Sequence, residues 1–246
     1  RVTMVWRALL GDGARWYTRL CVALLSASRV QCNEIAVSRC RADRCGAVIQ
    51  DMLYAHAWAA HSSQVYGGCC RRVHDCRSLL SVLNLSAVLN QDVDCSNATT
   101  VPSTTYRKEL RYFTLSWLTH IRSFQVTIRP KQQHTIVAHV RRGDVSIKTP
   151  KRYLPNSYYI SKIEERRLSS SRVIIFTEFA PGLDDFYQRN YTVSFTPNLS
   201  VIWSTILNAD VFIMSRSSFS YVPALFSRGI VVYSPFWHQA LPWWTS

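Results

Sequence analysis

The chain has 246 residues and a mass of 28.3 kDa, room for one large domain or two small ones. Hydrophobic residues make up 48% and charged residues 18%, so the chain can bury a core and is neither disordered nor of low complexity. Lys and Arg number 29 against 15 Asp and Glu, a net charge of +14 that favours an anionic partner: nucleic acid, a membrane surface or a phosphate-bearing small molecule. The cations are spread over both halves rather than gathered into an arm, which disfavours a nucleic-acid tail.

Residues 1–30 come first. Arg15 and Arg19 precede an apolar run, Leu20 to Leu25, that ends in Ser26-Ala27-Ser28. The pattern reads as a secretory leader or N-terminal extension, or equally as an ordinary core helix. The stretch between Arg19 and Arg29 is far short of the roughly 20 apolar residues a bilayer requires, so no transmembrane span is expected in this chain. All eight cysteines (Cys21, Cys32, Cys40, Cys45, Cys69, Cys70, Cys76 and Cys95) lie in the first 95 residues. None has the spacing of a zinc ribbon or redox motif, and the even count points to disulfides in an oxidising compartment. Sequons at Asn84, Asn97, Asn190 and Asn198 fit a secretory route.

The first half, 31–130, is irregular. Ile35 to Val37 reads as a strand, Val48 to Ala60 as a helix, and Ser63 to Tyr66 as a strand ahead of Gly67-Gly68-Cys69-Cys70. Helices are predicted around Leu79 to Leu85 and Glu109 to Ile121. His56, His61 and His74 have no ligand spacing with any carboxylate pair, and no metal site is expected.

From residue 131 to 246 the pattern becomes regular. Predicted strands are His134 to Val140, Arg172 to Thr177, Tyr191 to Phe195, Asp210 to Met214 and Ile230 to Tyr233. Between them fall predicted helices at Pro155 to Leu168, Asp184 to Arg189, Ser200 to Asn208 and Ser218 to Ser227, the last stopped by Gly229. Continuous apolar strands alternating with short helices imply an α/β fold with a parallel sheet covered on both faces. The Trp-rich end, Phe236-Trp237-His238 and Pro242-Trp243-Trp244, reads as packing over a sheet edge or as a sugar-stacking surface, packing being preferred.

In a parallel sheet, ligands sit where the strand-to-helix loops converge at the carboxyl ends. Arg141-Arg142-Gly143-Asp144 follows the first strand of this half, Glu178 the second, and Ser215-Arg216-Ser217-Ser218-Phe219-Ser220 the fourth. Adjacent guanidiniums offer planar donor forks to phosphate oxygens, Gly admits close backbone approach, and Asp can hold an Arg or bind a hydroxyl. Serine hydroxyls and amides at a helix N-terminus form a second anion site, with Ser218 placed to cap the helix. Two phosphate-like sites on neighbouring loops point to a diphosphate.

His139-Val140-Arg141-Arg142-Gly143-Asp144 with Ser217-Ser218-Phe219-Ser220 resembles the superfamily of GDP-fucose-dependent fucosyltransferases, including its α1,2-, α1,6- and protein O-fucosyl branches. The resemblance covers residues 131–246 and, in the first half, Cys45 to Ala60 and Tyr66 to Cys69. It implies a GT-B-like pair of Rossmann-like domains, the second (131–246) holding the nucleotide sugar and the first (31–130) facing the acceptor. It further implies inverting transfer of fucose from GDP-fucose to a hydroxyl of a glycan or glycoprotein, with no cofactor and no metal. By position, His139 would contact guanosine and Arg141 the β-phosphate. Arg142 and Asp144 would support that site, and Ser217, Ser218, Phe219 and Ser220 would line the diphosphate. The implied location is the secretory lumen, Golgi or endoplasmic reticulum, or outside the cell. Three stretches depart from the pattern: Arg44-Cys45-Gly46 holds less glycine than the family's first loop, Ile202-Trp203-Ser204 lacks an acid, and residues 145–149 lack a carboxylate for the base. Asp144 and Glu178 remain as candidate bases. Two other readings compete: a non-catalytic relative that binds nucleotide or glycan, and a nucleic-acid module supported by charge alone.

Overall fold

The computed structural model describes residues 35–39, 43–70, 75–89, 93, 99–103, 110–125 and 133–246. The apolar run before residue 30 and the sequon at Asn97 lie outside the described residues.

The first half builds a small parallel sheet in which β1 (Ile35–Arg39) lies between β2 (Val65–Cys70) and β3 (Thr99–Thr100). Strand β2 is longer than predicted and runs through Gly67-Gly68-Cys69-Cys70. Tyr66 pairs with Ala36 and Gly68 with Val37, so Gly67 is an extra residue. Gly68, at φ 121°, takes a backbone conformation that side-chain-bearing residues avoid. Between β1 and β2 runs α1 (Cys45–His61), which starts three residues ahead of the predicted Val48. It buries residues on every side, from Val48, Ile49 and Met52 to the polar Gln50 and Asp51, as a helix inside a core must.

The short helix α2 (Arg77–Val82) follows. The single helix predicted over Glu109 to Ile121 is instead a 3-10 turn at Leu110–Tyr112 and a separate α3 (Leu115–Ser123). Thr114 ends the first and caps the second, its Oγ1 accepting a hydrogen bond from the Trp117 amide at 3.2 Å. The break places Phe113 in a stack between Tyr54 and Trp117, with ring centroids 4.6 and 4.7 Å away.

The second half follows its predicted order closely: β4 (Thr135–Val140), α4 (Asn156–Glu164), β5 (Arg172–Thr177), α5 (Asp184–Tyr187), β6 (Thr192–Ser194), α6 (Leu199–Leu207), β7 (Val211–Ile213), α7 (Ser218–Phe226) and β8 (Ile230–Val232). The strands form one sheet in the order β6-β5-β4-β7-β8, every pair parallel. This is a Rossmann-like α/β unit with β4 at its centre. The chain leaves β4 toward β5 and β6, then returns past it to β7 and β8. The loops after β4 and β7 therefore part to opposite faces and leave a crevice between them at the carboxyl edge.

The two sheets correspond to the two halves, and packing crosses the boundary. One core cluster joins Ile49, Leu53 and Tyr54 of α1 to Trp203 of α6 and to Tyr221 and Leu225 of α7. A second, on the other face of the larger sheet, gathers Ile136, Ala138, Val140, Tyr159 and Phe186. The C-terminal segment packs as preferred: Thr245 bridges to Val232, and the Trp244 ring lies against Tyr221 and Tyr233, protecting the β8 edge.

Cys45 at the start of α1 is bonded to Cys76 beside α2, and Cys69 and Cys70 are disulfide-bonded as well. Every cysteine among the described residues is thus in a disulfide. Among those residues no helix is long and apolar enough to cross a membrane, and no group of three or more His, Cys, Asp or Glu side chains is arranged to hold a metal.

Candidate functional site

Strand β4 ends at Val140, and the chain turns at once through Arg141 to Asp144, Gly143 adopting φ 65°. The turn folds Asp144 back onto Arg141, whose Nε donates to Oδ1 at 3.1 Å and Nη2 to Oδ2 at 2.7 Å. A third guanidinium bond reaches the same carboxylate from the first half: Arg44 Nη2 donates to Asp144 Oδ2 at 2.6 Å. Two cations thus share the Asp144 carboxylate, and the neighbouring Asp43 Oδ1 accepts from the Arg44 amide at 2.7 Å. The hydrogen bond from Arg141 leads the causes that hold the Asp144 carboxyl down at about 2, well below its ordinary value, and the carboxylate stays ionised.

Arg142 does different work. It is buried, its backbone amide donates to Glu178 Oε2 at 2.8 Å, and its Nη2 donates to Asn156 Oδ1 at 2.6 Å. The guanidinium lies over the Tyr153 ring at 4.7 Å. With neutral partners on its side chain, Arg142 anchors the turn from beneath. Glu178, at the end of β5, clasps the same turn from the side.

On the other side of the crevice, Ser217 is the N-cap of α7: its Oγ accepts from the Phe219 amide at 3.2 Å. The cap is one residue ahead of the expected Ser218, whose hydroxyl instead pairs with His238 Nε2 at 3.1 Å. Neither Phe219 nor Ser220 is an open ligand contact. The Phe219 ring packs between His139 and Trp203, centroids 5.1 and 5.5 Å away, and its amide is taken by the cap. Ser220 Oγ and Ser215 Oγ meet His139 Nδ1 at 2.6 and 2.9 Å. Burial first, and the charge of Arg141 second, lower the His139 pKa to about 3, so the ring is neutral at physiological pH. Resting on Ser215 and Ser220, it braces the end of β4 against α7.

The two halves touch at this edge. A Cβ on Gly46 would lie 2.7 Å from Phe219 Cα, so the first turn of α1 fits against the first turn of α7 only because residue 46 is glycine. Neither helix carries an acid in its first turn, and α1 has no side-chain cap. Two positive helix ends thereby meet the Arg44–Asp144–Arg141 cluster. Two surface recesses lie elsewhere: about 670 Å³ lined by Asp210, Arg228 and Trp243 at the amino ends of β7 and β8, and about 470 Å³ lined by His61, Trp117 and His120.

No protein-family model matches this chain, and no curated protein matches it. The site is therefore read from its own geometry.

That geometry brings His139, Arg141, Arg142, Asp144, Glu178 and the serine loop to one edge. It also adds residues outside the predicted set. Arg44 stood in the sequence only as a departure from a glycine-rich loop, His238 only as part of the Trp-rich end read as packing, and Asn156 and Tyr153 carried no signal. Arg44 could be found only by folding, since it lies 100 residues from the carboxylate it holds.

Proposed function

We propose that this chain binds a nucleoside diphosphate sugar between the loops after β4 and β7 and transfers the sugar to an acceptor hydroxyl. GDP-fucose is the donor that the motif resemblance implies. The observation that carries the reading is the convergence of two guanidiniums at the crevice: Arg44 from the first half and Arg141 from the second meet on the carboxylate of Asp144 beside the amino ends of α1 and α7.

In inverting transfer, the bond from the anomeric carbon to the diphosphate oxygen breaks while the acceptor oxygen bonds to that carbon from the opposite face. The electron pair leaves with the diphosphate, and the acceptor proton passes to a base. Arg141, only 13% exposed and already oriented, would offset the growing charge on the leaving group in a partly desolvated setting. Arg44, reaching in from the first half, would close over it. This suits a GT-B-like division of labour, with the acceptor approaching from the first-half side.

Of the two candidate bases, Asp144 is the poorer. Both its oxygens are engaged by guanidiniums, and its low pKa makes it a weak proton acceptor. Glu178 commits one oxygen to the Arg142 amide and is exposed, which makes it the better choice. A second reading, a non-catalytic nucleotide-binding relative, is favoured by one fact: both carboxylates at the edge already hold the turn together. The disulfides and sequons support a lumenal or secreted setting.

Incubation with a panel of nucleotide sugars, scoring binding, hydrolysis and transfer, tests the reading. Transfer from one donor class supports the enzyme. Tight GDP binding without turnover supports the relative. Absence of any nucleotide affinity rejects both.

A further inference from the structure

The turn that carries Asp144 continues into a loop, residues 145–155, that holds Lys148, Lys151 and Arg152 and no acid. All three side chains are exposed, and none makes an ion pair among the described residues. The loop has a defined shape. Thr149 Oγ1 donates to the Ser146 carbonyl at 2.8 Å, the Arg152 amide donates to the Thr149 carbonyl at 2.9 Å, and the Arg216 guanidinium ties the Pro150 carbonyl to the loop after β7 at 3.1 Å. Arg152 lays its guanidinium over the Trp237 ring at 5.4 Å, and that indole is 37% exposed.

We propose that Lys148, Lys151, Arg152 and Trp237 form a docking surface for an anionic saccharide, one bearing sulfate or carboxylate groups, at the mouth of the crevice. Resting on the transferase reading, this makes the acceptor an acidic glycan. Three cations without counter-ions among the described residues, on one ordered loop, attract a repeated anion. An indole flanked by a guanidinium adds a face on which the C–H surface of a sugar ring can stack beside its acidic group. The loop follows directly on Asp144, so a chain bound there is delivered to the diphosphate site. Disulfides at every described cysteine favour an oxidising setting, where acidic glycans rather than nucleic acids are the polyanions.

The test uses the full chain and three fluorescent oligosaccharides of equal length: one sulfated, one carrying carboxylates alone, and one neutral. Binding is measured near physiological salt for the native protein, for Lys148→Ala/Lys151→Ala/Arg152→Ala and for Trp237→Ala. GDP affinity is measured alongside. At least one acidic oligosaccharide should bind and the neutral one should not. The triple variant should lose about tenfold and respond less to salt, and Trp237→Ala should lose several-fold without a change in salt response. GDP affinity should stay within about twofold in both, because none of these residues belongs to the diphosphate site. The sulfated and carboxylate arms identify which anion is read. Equal binding of the neutral chain, undiminished binding by the triple variant, or equal competition by a DNA oligonucleotide of matched charge would overturn the proposal. If GDP fails to bind while the acidic saccharide still does, the transferase reading falls and the docking surface stands.

Discussion

Arg141 and Arg142 are neighbours with opposite duties, because β4 ends between a solvent-facing crevice and a packed underside. Arg141 keeps its guanidinium at the edge, so Arg141→Ala should cut turnover about 10²- to 10³-fold with the fold intact by circular dichroism. Unchanged turnover in a well-folded variant would remove Arg141 from the diphosphate site. Arg142→Ala, which empties a buried site lined by Asn156 and Tyr153, should instead lower the melting temperature. Glu178→Gln separates positioning from chemistry. The amide oxygen of Gln can still accept from the Arg142 amide, so GDP affinity should persist, while loss of the basic carboxylate should reduce transfer about 10²-fold or more. Transfer at the native rate in Glu178→Gln would exclude Glu178 as the base.

At the scale of elements, the contact between the first turns of α1 and α7 holds the two halves in register at the site. Gly46→Ala would press a methyl group onto the Phe219 backbone, and backbone cannot swing aside as a side chain can. The expected cost is about 1–3 kcal/mol of stability. GDP affinity should fall with it, because Arg44 and the start of α7 would be pushed apart. Paired measurements of melting temperature and GDP affinity check this; a variant as stable as the native chain would show that the close approach is slack. Removing the α7 cap with Ser217→Ala should cost about 1 kcal/mol, a smaller effect because the helix is also held by the core on both sides.

For the whole molecule, pH reports on two histidines that the fold keeps uncharged, one buried (His139) and one half-buried (His56). Folding lowers the pKa of His139 to about 3 and of His56 to about 4, chiefly by burial. Unfolded, each would titrate near 6.5. Below that value the unfolded chain binds more protons than the native one, so stability is present in full above about pH 6.5 and declines toward pH 4. The decline should approach about 1.4 kcal/mol per pH unit for each histidine, read from denaturant melts. His139→Gln should shed part of that slope, and a slope unaltered by the substitution would place the titrating group elsewhere. Reductant should act on the entire protein as well. Cys45 adjoins Arg44 and Gly46, and the core joins α1 to α6 and α7, so reduction should lower one shared transition and weaken GDP binding with it. Two separate melts, with GDP affinity unaltered, would show that the halves are energetically independent.

The sequence by itself determined the second half, because buried parallel strands are apolar along their whole length and the helices between them are capped or stopped by local residues. His139 to Asp144 and Ser215 to Ser220 were legible for the same local reason: each is a short loop of unusual chemistry at the end of an evident strand. The first half was less legible. Gly67-Gly68 imitates a strand end while accommodating a bulge, and Thr114 divides a helical pattern whose apolar spacing runs on without a break. Tertiary structure alone decided the rest: that Arg44 meets Asp144, that Gly46 lets α1 reach α7, and that Phe219 and Ser220 face inward. Those contacts join residues distant along the chain, and local pattern carries no record of them, because only packing of one half against the other sets the distances on which they depend.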